Sequence, residues 1–118
     1  MKNTRKIKKN FEFKIVLKRG KAYGGKNIII YIYPNNKPFN RMGIGVSKKY
    51  GKAVQRNKIK RLIRENYKNI EQNLNGNYNF LIMVKNDAEA SKVDFYSIKN
   101  DFDTILRKAG CMEWKNIL

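Results

Sequence analysis

Residues 28–33 read Ile-Ile-Ile-Tyr-Ile-Tyr, and all six are β-branched or aromatic, the types that suit a pleated strand. Alternation sends Ile28, Ile30 and Ile32 to one face and Ile29, Tyr31 and Tyr33 to the other. Neither face is polar, so the strand over 27–33 needs at least partial cover on both sides.

Three segments have the spacing of covering helices. From Arg56 onward, at about 100° per residue, Ile59, Leu62, Ile63, Tyr67 and Ile70 share one arc of a helix spanning about 54–73, and Asn75-Gly76-Asn77 ends it. Over about 92–108, Phe95, Ile98, Phe102, Ile105, Leu106 and Ala109 form an apolar stripe closed by Gly110. A shorter helix starts with Asn10 as N-cap, runs to about residue 19 and stops at Gly20, with Phe13, Val16 and Leu17 at helical spacing. Core packing is the plain reading of Phe13 and Leu17, as it is of Cys111 and Trp114 near the end of the chain.

Pro34-Asn-Asn-Lys-Pro38 reads as a turn into a second strand at 41–47, antiparallel to the first. Met42, Ile44 and Val46 line one of its faces, while Gly43, Gly45 and Ser47 leave the other nearly bare, so another backbone or a ligand can come close. Residues 78–84 read as a third strand, with a loop at 87–91. The order is helix, strand, strand, helix, strand, helix, an α/β (α+β) sandwich in one domain over 1–118, with the last two strands parallel if they share a sheet.

The helix at 54–73 has a second arc, occupied by Asn57, Lys60, Arg61, Arg64 and Lys68. Three of the seven arginines fall between 56 and 64, in a chain that otherwise uses lysine for positive charge. Arginine's planar fork grips phosphate in a bidentate way that a lysine point charge cannot. A solvated face is the plain reading of a basic run, but only Glu65 and Glu71 lie near enough to neutralise this one.

The imbalance extends along the chain. Residues 1–86 hold 22 basic and 3 acidic side chains, whereas 87–118 hold 5 and 6, and no acid occurs from 13 to 64. Residues 1–9, with Lys2, Arg5, Lys6, Lys8 and Lys9, read as a basic mobile arm. A multivalent phosphate backbone repays so many cations better than an acidic protein or a membrane surface does. Phe13, Tyr31 and Tyr33 beside a basic groove would add stacking surfaces for single-stranded bases.

The same inventory argues against catalysis by the protein. There is no histidine, the acids are sparse and unpaired, and neither Ser47 nor Cys111 has a base nearby. A single cysteine forms no internal disulfide and fits a reducing compartment. No apolar run approaches a secretory or membrane-spanning segment. A soluble cytoplasmic binder is expected.

Ser47-Lys48-Lys49, Gly51, Ala53-Val54, Arg56-Asn57, Lys60-Arg61 and Ile63-Arg64-Glu65 together resemble the signature of the bacterial ribonuclease P protein subunit. The match runs from about residue 8 to 110. The resemblance implies a two-layer sandwich with a left-handed β-α-β crossover, against the general right-handed rule. It further implies a partner RNA that carries the active site with Mg²⁺, and a protein that helps this RNA remove the 5′ leader from precursor tRNA. On that basis Lys49, Arg56, Asn57, Lys60, Arg61, Arg64 and Lys68 would lie against the catalytic RNA. The leader would occupy a cleft with Phe13, Leu17, Tyr31, Ser47 and Lys48. Leu17 stands where many members of the family carry an aromatic residue. A metal near Arg56 and Asn57 would find poor ligands there.

Two rivals remain: a plain RNA-binding module, such as a ribosomal or chaperone protein, and a DNA-binding protein. The first predicts binding without any gain in cleavage, and the second requires a helix face that reads base edges. No DNA or membrane partner is expected.

Overall fold

The computed structural model describes residues 3–113. Its five strands are β1 (Thr4–Lys6), β2 (Lys21–Gly24), β3 (Ile28–Pro34), β4 (Asn40–Gly45) and β5 (Tyr78–Val84). Its three helices are α1 (Asn10–Arg19), α2 (Ala53–Ile70) and α3 (Phe95–Lys108). They form one mixed sheet in the order β1-β4-β5-β3-β2, with helices on both sides. None of these helices is long and apolar enough to cross a membrane.

The two-faced strand is covered as its alternation requires. Ile28, Ile30 and Ile32 are buried with Met42, Phe80 and Ile82 beneath α2 and α3. On the other face, Tyr31 and Tyr33 join Phe13 and Met83 around Val16, Leu81 and Ile7 under α1. Each fully buried Ile or Phe contributes about 1.5–3 kcal/mol of hydrophobic transfer.

Strands β3 and β4 run in opposite directions, as expected, but are not neighbours: β5 lies between them, antiparallel to β3 and parallel to β4. The physical reason is burial: Phe80, Leu81 and Ile82 of β5 are all within 1% of full burial, which only a central strand attains. The basic run at 1–9 is not a free arm where it is described. Thr4–Lys6 pairs in parallel with Asn40–Met42, and Ile7 is buried and donates its N–H to the Met42 carbonyl at 3.1 Å. The Thr4 hydroxyl also meets the Tyr67 hydroxyl at 2.7 Å and donates to the Glu71 carboxylate. Lastly, Asn10 is already helical; Lys9 takes the extended capping position, and its N–H donates to the Glu12 carboxylate at 3.3 Å.

Strand β2 carried no strong sequence signal and adds the outer edge next to β3. The third helix starts later than 92, because Asp94 caps it by accepting the Ser97 N–H at 2.8 Å. It ends with Gly110 at φ 79, the left-handed conformation that favours glycine. There the Cys111 N–H reaches the Leu106 carbonyl at 2.8 Å and the Gly110 N–H reaches that of Arg107 at 3.0 Å. Cys111 is buried, in keeping with a packing role, whereas Trp114 lies outside the described residues.

Candidate nucleic-acid interface

Helix α2 follows a single 3-10 turn, Lys48–Tyr50, which Ser47 caps by accepting the Lys49 N–H at 3.1 Å. Ser47 therefore uses its hydroxyl to shape the turn, and Lys48 and Lys49 project from it into solvent. Tyr50 anchors the turn in the core, and burial raises the pKa of its hydroxyl. At the start of α2, the Lys52 N–H donates to the Gln55 side chain at 3.0 Å.

The two arcs of α2 separate as the spacing predicts. Ile59, Leu62, Ile63, Tyr67 and Ile70 are buried, and Asn66 joins them by donating to the Leu62 and Phe95 carbonyls at 3.0 and 3.1 Å. Asn57, Arg61, Arg64 and Lys68 are exposed, and Lys60 is partly so. Among the described residues, ion pairs join Arg41 to Glu12, Lys92 to Glu89, and Lys99 and Arg107 to Asp103. None involves Lys60, Arg61, Arg64 or Lys68. The Glu71 carboxylate, one of the two acids that might have quieted this face, accepts from the Thr4 hydroxyl and the Asn3 N–H. Arg56 stands apart: its guanidinium turns back to donate to the Gly51 carbonyl at 2.5 Å and helps fix the entry to the helix.

The bare face of β4 has occupants. A Cβ added to Gly43 would stand 2.8 Å from the Phe13 ring, and one added to Gly45 would stand 2.5 Å from the Met83 sulfur. Side chains of α1 and β5 fill the space, where the sequence left a backbone or a ligand open. Phe13 and Tyr31 thus lie in one cluster beside Met83. Leu17 is on α1 but 46% exposed.

A groove of about 460 Å³ connects this cluster to α2; Phe13, Gly43, Ile44, Lys60 and Arg64 line it, together with Arg5 and Lys6. Strand β1 stops at Lys6, so Ile44, the next residue of β4 directed to that edge after Met42, lies beyond the pairing. The aromatic and cationic surfaces therefore meet at an open sheet edge. Arg5 and Lys6 were missed as lining residues because a polar three-residue strand has no legible period.

The described residues contain no cluster of three His, Cys, Asp or Glu side chains. Residues 52–61, around Arg56 and Asn57, carry several cations and no carboxylate, a donor set that does not fit Mg²⁺, a hard cation that prefers carboxylate and other oxygen ligands.

Comparison with known proteins points one way. A family model described as Ribonuclease P matches residues 1–110. The ribonuclease P protein component of Clostridium botulinum (strain 657 / Type Ba4) is 40% identical over 106 residues, covering 89% of this chain and 94% of the relative. The structure of the Staphylococcus aureus RNase P protein superposes with a TM-score of 0.78 at 32% identity, covering 92% and 97% of the two chains. The Thermotoga maritima RNase P protein gives a TM-score of 0.78 at 22% identity over 88% and 96%, a likeness of fold.

Proposed function

Because the chain belongs to the ribonuclease P protein family, we propose that it is the RNA-binding partner of a catalytic RNA and assists removal of the 5′ leader from precursor tRNA. The observation that carries this reading is the cationic arc of α2. Its core arc fixes the helix, so Lys60, Arg61, Arg64 and Lys68 are held at set spacings without acidic partners. A folded phosphate array rewards that fixed geometry, and counterion release supplies affinity. Asn57 and Lys68 extend the surface along the helix, and Lys49 extends it before the helix begins.

Phe13 gives the leader a stacking surface in the groove described above, the trough beside α1 and β4, with Tyr31 in the same cluster; Lys48 adds a solvent-facing cation, and Leu17 offers apolar contact only. Arg56 and Ser47 combine positioning with contact: one guanidinium N–H holds the Gly51 carbonyl and the Ser47 oxygen accepts the Lys49 N–H, while the remaining guanidinium N–H groups and the Ser47 O–H can donate to RNA. With no histidine and few acids, the protein contributes binding and orientation. The RNA and its Mg²⁺ contribute the chemistry, because the protein's own donor set does not fit the ion.

The test is cleavage of a leader-bearing precursor tRNA by a bacterial ribonuclease P RNA at low Mg²⁺, with and without this protein. Cleavage that requires both components supports the reading. Binding with no gain in cleavage would move the protein to the class of plain RNA-binding modules, and cleavage by protein alone would overturn the division of labour.

A further inference from the structure

Large apolar side chains exposed on this protein are few and unevenly placed. Of the five among the described residues, Phe11, Ile15 and Leu17 all belong to the ten-residue helix α1, with Phe11 58% and Ile15 40% exposed. At about 100° per residue, Phe11 lies on the side of α1 opposite Phe13. Between them, going round the helix past Leu17, come Lys14 and Lys18, and Ile15 adjoins Phe11. Lys9 places its ammonium 5.7 Å from the Phe11 ring. The one acid of α1, Glu12, is taken up by Arg41 on the inner side.

We propose that this outer face of α1 is a second platform for single-stranded RNA, onto which the leader passes after leaving the trough. The inference rests on the leader reading above. Its chemistry is that of a sequence-tolerant single-strand site: lysines follow the phosphates, and an accessible ring accepts a base face. A second copy of the chain is a poor occupant, because a two-fold contact would set Lys14 and Lys18 against the same uncompensated charges.

The experiment uses the enzyme assembled from this protein and a bacterial ribonuclease P RNA, and precursor tRNAs whose leaders are lengthened one nucleotide at a time. Affinity for the wild-type assembly rises in two stages as the leader first fills the trough and then reaches α1. The double variant Phe11→Ala/Ile15→Ala loses the second stage, about fivefold or more in affinity, and matches wild type on short leaders. Phe13→Ala weakens binding at every length. Abasic sites in the distal leader abolish the difference between the double variant and wild type, since they keep phosphate and remove the stacking face. A double variant equal to wild type at all lengths, or equally weakened at all lengths, would overturn this inference alone. So would a concentration-dependent dimer that the double variant loses. Affinity independent of leader length for every protein, Phe13→Ala included, would remove the leader reading and this inference with it.

Discussion

Gly43→Ala tests how tightly the trough is built. The new methyl group would stand 2.8 Å from Phe13 Cε1 and 3.2 Å from its Cζ, while Leu81 Cδ1 at 3.4 Å is near ordinary contact. Overpacking of this kind costs about 1–3 kcal/mol. Gly43 does not have positive φ, so alanine fits its backbone once the ring is gone. In a Phe13→Ala background the same change then stabilises by about 0.4–1 kcal/mol, by reducing the freedom of the unfolded chain. The two substitutions are therefore coupled by roughly 1.4–4 kcal/mol, and the effect of Gly43→Ala changes sign. Urea unfolding of the four proteins, followed by far-ultraviolet circular dichroism, measures this directly. Effects that add within about 0.5 kcal/mol would refute the claim that Phe13 fills the bare face of β4. In the cleavage assay, Gly43→Ala lifts the ring and weakens preference for leader-bearing substrate over mature tRNA, as Phe13→Ala does.

Arg61→Ala and Arg64→Ala each weaken docking to the catalytic RNA and lower the slope of log affinity against log salt by about 1, as measured by filter binding across a salt series. Asp101→Ala destabilises the fold by about 3–5 kcal/mol, because two backbone donors, the N–H groups of Lys26 and Asn27 at 3.0 and 2.8 Å, lose a charged acceptor; calorimetric melting would show it, and a near-native melting temperature would contradict it. Burial pushes the Cys111 thiol up to about 11 from 9.0. The unfolded chain therefore releases this proton first as pH rises, and stability falls between about pH 9 and 11. Cys111→Ala removes that component, so its melting temperature relative to wild type improves across this window.

The parts legible in the sequence were those whose signal repeats. Helix α2 carries five turns of matched apolar and polar residues, and its two arcs were placed correctly. The glycines of β4 announced a close approach, but a missing side chain cannot say which residue arrives; Phe13 and Met83 come from elsewhere in the chain. Strand β1 is held by Glu71 and Tyr67, more than sixty residues away, and its own Thr-Arg-Lys is no strand signal. The short link from β3 to β4 reads as a turn between antiparallel strands, and nothing local reveals that β5 will occupy the gap. Five of the six cations of α2 were singled out, Lys58 being the exception, and the turn of Arg56 back to Gly51 depends on loop geometry that composition does not encode.

The position of β5 also sets a schedule for synthesis. Strand β3 ends at Pro34 and β5 at Val84, an interval of roughly 3–10 s at ~5–20 residues per second on the ribosome. During that time the two halves of the sheet cannot join, and the Ile28–Tyr33 run has only β2 beside it. A nascent strand of this kind is an aggregation hazard. The charge that later suits the protein to RNA keeps these unfinished chains apart, since their mutual repulsion is strongest over the residues made first.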